Sequence, residues 1–326
     1  MAADSLRLLT FSTLFPDSTR PNFGVFVENR LRHLVATGQA RSTVLAPVPW
    51  FPRLRPALAA RAGVGGRVAA FPGAETRHGL QVHHPRFLVV PRLGMSAAPL
   101  LLYRAARAAL ARLVAQGLEF DAIDAHYLYP DGVAAVWLGR RFGKPVVITA
   151  RGSDVTELPD YAVPRAFIRR AIAGADALIS VSAGLKDALM ALGAPPEKVT
   201  VLRNGVETGL FRETERDATR ARLGLTGHVL ISVGGLIARK RHHLTIAALR
   251  DLPGCTLLIL GEGPEHARLQ ALAAELGLAD RVRLPGPVPH RDLPAYYSAA
   301  DASVLASSRE GWANVLLESM ACGTPV

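Results

Sequence analysis

The chain has 326 residues, 49% of them apolar and 20% charged, with a formal net charge of +11. That length exceeds the about 250–300 residues at which one core stops growing, so two globular α/β domains are expected and a disordered chain is excluded. No uninterrupted apolar run reaches the about 18 residues of a membrane span, no signal-peptide pattern opens the chain, and Cys255 and Cys322 lack metal-ligand spacing, so a soluble or peripheral protein of a reducing cytosol is expected.

The charge is unevenly placed: residues 1–205 hold 25 basic and 14 acidic side chains, and residues 206–326 hold 13 of each. Residues 51–92 alone carry Arg53, Arg55, Arg61, Arg67, Arg77, Arg86 and Arg92 against Glu75. Such a stretch attracts phosphates or an anionic membrane surface, although arginine-rich proteomes also produce it without a partner.

Residues 6–11 read as a buried strand, followed by a turn-rich loop over 15–24 and an amphipathic helix over 25–37. Gly24 at the helix start lets the backbone approach an acceptor or a phosphate, or simply makes a turn. Residues 42–46 continue the sheet. Residues 50–95 form a Pro-, Gly- and Arg-rich excursion of the kind that often carries function, and residues 100–115 a helix with Arg104, Arg107 and Arg112 on one side. A strand over 121–125 ends beside His126, where open parallel sheets bind ligands, which makes this histidine a candidate cleft residue. A helix over 133–142 and a strand over 146–149 lead to Arg151-Gly152-Ser153-Asp154 at another strand end. Strands over 176–181 and 199–202 complete the first sheet.

The second half opens with a strand over 229–233 and a turn over 234–241, where Arg239 and Lys240 suit a diphosphate; a short basic run is also what a solvated surface carries. After a strand over 256–260, Gly261 and Gly263 permit backbone contact with a nucleotide. A dinucleotide fingerprint needs a third glycine where His266 stands, and no Gly-Lys-Ser/Thr loop exists, so nicotinamide and P-loop readings fail. A strand over 282–284, the loop 285–289 containing Val288 and a helix over 293–299 follow. A short buried strand over 301–305 then runs into Glu310. Val315, Leu316, Met320 and Ala321 recur at helical spacing, which puts Glu310 on a strand-to-helix turn and Glu318 about two turns into the helix. The amides of Gly311, Trp312, Ala313 and Asn314 point out of that helix N-terminus, a ready phosphate site flanked by two carboxylates.

Two glutamates separated by seven residues, followed by Gly323-Thr324-Pro325, resemble the signature of retaining family 4 glycosyltransferases (glycosyl transferases group 1). The resemblance implies the α/β GT-B fold, two Rossmann-like domains with parallel sheets facing across a cleft: 1–205 for the acceptor and 206–326 for the nucleotide sugar. Arg203-Asn204-Gly205-Val206 would be the interdomain crossover, and the chain stops at Val326 before the family's last strand and helices, so the second domain is expected to be incomplete. Glu310 and the following amides would hold the donor sugar and phosphates, Glu318 the ribose, Gly261 and Gly263 the nucleotide, and the loop of Val288 the base. Lys240 matches a family lysine on the phosphates; the family arginine falls on Gly235, so Arg239 would substitute. A family histidine in a Thr-x-His-Gly context falls on Arg151, which is therefore expected to offer a cation to a phosphate while His126 hydrogen-bonds a sugar hydroxyl.

No Asp-x-Asp metal motif appears, so neither a metal nor a cofactor is expected beyond the nucleotide-diphospho-sugar donor. The expected partners are that donor, a glycan or lipid-linked acceptor and an anionic membrane surface at the cytoplasmic face, with no nucleic acid. Competing readings are a glycoside hydrolase using Glu310 and Glu318 as acid and nucleophile, a nucleotide-sugar epimerase, and an inactive nucleotide-binding fragment.

Overall fold

A computed structural model describes residues 5–21, 23–50, 72–89 and 94–326. The chain divides into two compact units, residues 1–203 and 204–326. Among the described residues no helix is long and apolar enough to cross a membrane. Of the N-terminal arginine stretch, Arg53, Arg55, Arg61, Arg67 and Arg92 lie outside the described residues.

The N-terminal unit is built on an eight-stranded sheet. Its strands are β1 (Leu6–Phe11), β2 (Ala40–Leu45), β4 (Ala74–Arg77), β5 (Leu80–His83), β7 (Ala122–His126), β8 (Val146–Ala150), β9 (Ala177–Ser180) and β10 (Val199–Val201), in the order β10-β9-β8-β7-β1-β2-β5-β4. β3 (Val48–Trp50) and β6 (Arg86–Leu88) form a separate parallel ribbon. All pairings in the large sheet are parallel except β4 with β5. The excursion expected over residues 50–95 therefore extends the sheet with a hairpin, and the sheet is not purely parallel. Leu9, Phe11, Ile123, Ala125 and Ile148 are fully buried, which is why these strands read as apolar runs. Strand order reverses between β1 and β7, so the loops leaving their C-terminal ends open at a topological switch point.

Helix α1 (Val25–Ala36) covers β2. Arg77 of the N-terminal arginine stretch grips the buried Glu28 of α1 at 2.8 Å. Helix α2 (Gly94–Ala115) starts six residues before the expected Leu100, despite Pro99 inside it. A proline cannot donate to the carbonyl four residues back, here Met95, and the Tyr129 hydroxyl takes that carbonyl instead. Helices α3 (Val133–Phe142), α4 (Ser153–Thr156), α5 (Ala162–Gly174) and α6 (Ala183–Ala191) follow in this unit.

The C-terminal unit has a four-stranded parallel sheet, β13-β12-β11-β14, made of β11 (His228–Val233), β12 (Cys255–Leu260), β13 (Val282–Gly286) and β14 (Ala302–Ser303). Its helices are α7 (Arg216–Leu223), α8 (His242–Ala248), α9 (His266–Glu275), α10 (Leu293–Ala299) and α11 (Asn314–Ala321). One face buries Phe211, Val229, Ile231 and Tyr297, and the other Leu236, Ile246, Leu257 and Leu269. The strand expected over 301–305 is only two residues long and half-buried. It lies at the sheet edge, where the Ser303 N–H donates to Pro325 at 2.8 Å. Asp301 anchors it, accepting from the Val229 N–H at 2.7 Å and facing Arg216 and Arg220.

Candidate functional site

In the C-terminal unit three strand-end turns are stitched side by side. Gly234 N–H donates to Leu260 at 2.9 Å, Leu236 N–H to Glu262 at 2.9 Å and Gly261 N–H to Gly286 at 3.0 Å. A Cβ on Gly261 would stand 2.0 Å from the Gly234 oxygen, and one on Gly263 2.4 Å from the Leu236 oxygen. These glycines, whose φ of +153° and +158° also disfavour side chains, are required by the neighbouring turn. Gly24 in the other unit is similar: its φ is +70°, and a Cβ would meet the Leu14 carbonyl at 2.5 Å, so it seats the start of α1 on its own loop.

The turn after β11 meets the turn after β14 through charge. Lys240 Nζ lies 2.7 Å from Glu310 Oε1, and Arg239 Nη1 lies 3.4 Å from Glu310 Oε2 and 2.6 Å from the Arg309 carbonyl oxygen. Burial pushes the Glu310 carboxyl up, but hydrogen bonds from Lys240 and Ser307 and the charges of Lys240 and Arg239 outweigh it and hold it below its ordinary range. Two cations against one carboxylate leave a net positive charge at the start of α11. There the N-cap is Ala313, whose side chain accepts no hydrogen bond, so the first-turn amides have no side-chain cap. The arrangement suits an anion that shares Lys240 with Glu310. A carboxyl held low by its cations is suited to accepting hydrogen bonds rather than donating a proton.

Because α11 begins at Asn314, Glu318 sits about one turn into the helix, not two. Its carboxylate is buried and accepts from the Tyr297 hydroxyl at 3.1 Å, with His290 Nε2 at 3.4 Å. Each oxygen keeps a lone pair for a further donor such as a ribose hydroxyl. His290 follows the loop of Val288, which packs half-buried on the same core, and stacks edge-on against Phe211 with centroids 5.0 Å apart. Asn314 accepts from Asn204 Nδ2 at 3.1 Å. His242, which the sequence reading passed over, is buried beneath the basic turn with Nδ1 3.1 Å from Ser232 Oγ. A polar Ser232 inside the apolar run Val229–Val233 was the signal for it.

In the N-terminal unit, His126 and Arg151 are one assembly. Arg151 Nη2 donates to His126 Nδ1 at 2.8 Å, and Asp124 Oδ2 lies 3.2 Å from Nε2. A guanidinium only donates, so Nδ1 accepts and the ring proton sits on Nε2, facing the carboxylate. The ring is 1% exposed. Burial lowers its pKa, Asp124 raises it and Arg151 lowers it, with a net fall that keeps it neutral at pH 7. His126 supports Arg151 through Nδ1, while its buried Nε2 faces Asp124 without completing a hydrogen bond. Burial and then the charge of Arg30 push the Arg151 guanidinium down to about 9, so it stays charged at neutral pH, and it lies 5.2 Å from the Phe26 ring centroid. Asp154 binds the two loops together, accepting from Leu128 N at 2.8 Å and Gly152 N at 2.7 Å. Asp131 likewise holds the loop after β1, accepting from Thr13 Oγ1 at 3.0 Å and from the Thr13 N–H. Asp124 was also missed. It stands two residues before His126 on one strand, the spacing that puts both on one face.

Residues 59–210 match the model of Glycosyltransferase Family 4, and residues 214–326 that of Glycosyl transferases group 1. The chain belongs to these glycosyltransferases. A D-inositol 3-phosphate glycosyltransferase of Thermobispora bispora is 35% identical over 64% of this chain and 54% of its own length. The chain thus spans about half the length of that relative. A putative teichuronic acid biosynthesis glycosyltransferase of Bacillus subtilis, TuaC, is 29% identical over 98% of this chain and 80% of its own. Among solved structures, sucrose-phosphate synthase from Thermosynechococcus elongatus superposes with a TM-score of 0.77 at 21% identity, covering 99% of this chain and 80% of that one. Anabaena HepE, solved with UDP and glucose, gives 0.70 at 21% identity, covering 98% and 80%. These likenesses establish the α/β GT-B fold for this glycosyltransferase chain.

Proposed function

We propose that this chain is a retaining, metal-independent glycosyltransferase that moves a hexosyl unit from a nucleotide-diphospho-sugar to a glycan or lipid-linked acceptor, in the cytoplasm, during polysaccharide or glycolipid synthesis. The observation that carries the reading is the convergence of Lys240, Arg239 and Glu310 at the start of α11, whose N-cap side chain accepts no hydrogen bond. A departing diphosphate develops negative charge, and fixed cations and amides stabilise it without the help of an ion. On this reading Lys240 turns from Glu310 to the phosphates, Arg239 flanks them, and Gly311 to Asn314 supply N–H donors. Glu310, relieved of its lysine, accepts from sugar hydroxyls. Glu318, fixed by Tyr297 and His290, accepts from the ribose. Arg151 contributes a further cation, to a donor or acceptor phosphate.

HepE was solved in complex with UDP-glucose, so uridine donors are the first to try. The test is a panel of nucleotide sugars with chelator present, followed by NMR of the product anomeric proton. The reading expects nucleoside diphosphate release with retained configuration; free sugar alone, an epimerised donor or an inverted product would overturn it.

A further inference from the structure

Helices α2, α3 and α5 pack against one another on the N-terminal unit and form a surface that the transfer reading leaves unused. α2 carries three arginines, α3 two and α5 three, and none of these helices carries an acidic residue. Between them lie two adjoining hollows of about 410 and 270 Å³ that share Trp137 and Arg140. Leu100 and Tyr103 line the larger, Phe167 and Arg170 the smaller. The rings meet edge to face, Tyr103 with Trp137 at 5.7 Å and Trp137 with Phe167 at 6.0 Å. Guanidinium groups roof them, Arg107 over Tyr103 and Arg170 over Phe167, each at 5.9 Å. Beside them Leu100 is 50% exposed and Met95 45%.

Arginines alone would suit any polyanion. Half-buried aromatic rings and exposed Leu100 and Met95 among those arginines suit a partner whose negative charge lies directly above an apolar layer. That description fits a bilayer: lipid phosphates meet the guanidiniums, Trp137 and Tyr103 sit at headgroup depth, and Leu100 and Met95 reach the acyl boundary. The absence of carboxylates from all three helices removes the repulsion that anionic headgroups would otherwise meet. We propose that the face formed by α2, α3 and α5 is the docking surface of this chain for an anionic phospholipid bilayer. The proposal is independent of the transfer reaction, and its test uses no sugar substrate.

The test is co-sedimentation of the full chain with vesicles of phosphatidylcholine alone or mixed with phosphatidylglycerol, together with Trp137 fluorescence. Binding to the mixed vesicles that falls as salt is raised is expected, with a blue shift that disappears in Trp137→Phe. Arg140→Ala/Arg170→Ala should weaken partitioning roughly 30-fold, two interfacial charges' worth. Arg41→Ala/Arg250→Ala removes the same charge elsewhere and should weaken it less than threefold. Equal binding to both vesicle types, no binding to either, or equal losses in the two double variants would overturn the proposal. If Arg140→Ala/Arg170→Ala fails to fold, the Trp137 signal decides: a blue shift that survives Trp137→Phe places the contact elsewhere and sinks the idea.

Discussion

Two clusters at the C-terminal edges of parallel sheets differ in how they hold charge. Around β7 and β8, Asp124, His126 and Arg151 form a buried chain in which a 1% exposed imidazole accepts from Arg151 at Nδ1 and faces Asp124 with Nε2. Around β11 and β14, Lys240 and Glu310 form a less deeply buried pair, with side chains 13% and 23% exposed. The buried cluster is organised before any ligand arrives; the other holds a carboxylate where a phosphate could compete. Desolvation separates them. Losing a partner costs a buried group several kcal/mol, so the buried network resists exchange, whereas water can attend a more accessible pair while partners swap.

The comparison sharpens first through pH. Burial drives Asp131, beside the buried cluster, up to about 7, hydrogen bonds from Thr13 notwithstanding. Its folded pKa lies above its unfolded one, so the folded state carries no penalty while both are protonated. It loses stability as pH rises from about 4 to 7, by roughly 4 kcal/mol at most, and nothing more above that. Asp131→Asn should flatten this slope in denaturant melts taken across that range; an unchanged slope would place its origin elsewhere.

Next in size is Lys240→Ala, expected to weaken nucleoside diphosphate binding by about 3 kcal/mol, near 100-fold, by calorimetry, since a charge-assisted contact is lost and Glu310 is left without its nearest cation. Unaltered affinity would mean that the pair is structural, like the buried cluster. Glu318→Ala should cost about 1.5–3 kcal/mol of nucleotide affinity. Because it also strips the buried Tyr297 hydroxyl of its acceptor, Glu318→Gln is the control: it should keep the fold and lose less affinity.

A smaller effect tests the buried cluster as a unit. Arg151→Ala and His126→Ala should each lower turnover, and the double variant should lose no more than the worse single one, a coupling of about 1 kcal/mol or more. Additive losses would separate the two residues. The smallest effect is again pH, with the opposite sign: Glu310 is held low, so its contribution is present above the unfolded value and fades as acid passes through the folded pKa. Comparing wild type with Glu310→Gln in acid melts below about pH 4.5 reads it.

Sequence alone determined the elements that bury apolar side chains with a clear period. Leu6–Phe11, Val133–Phe142 and Leu293–Ala299 appear where expected, because an apolar run or helical stripe is a local property. It also placed Lys240, Glu310 and Glu318 in one half of the chain, on a motif whose spacing is visible without coordinates. It left α5 and α6 unassigned and overextended β14, since edge strands stop where their partners stop. Only the tertiary structure decided which polar groups meet. Asp124 and His126 are two apart, yet Arg151 reaches them from the next strand; Lys240 and Glu310 are seventy residues apart and touch. Gly261 and Gly263 are glycines because the turn after β11 lies against them, a contact no local window shows. Burial and pairing arise from what the chain places across the sheet, and no local window contains that information.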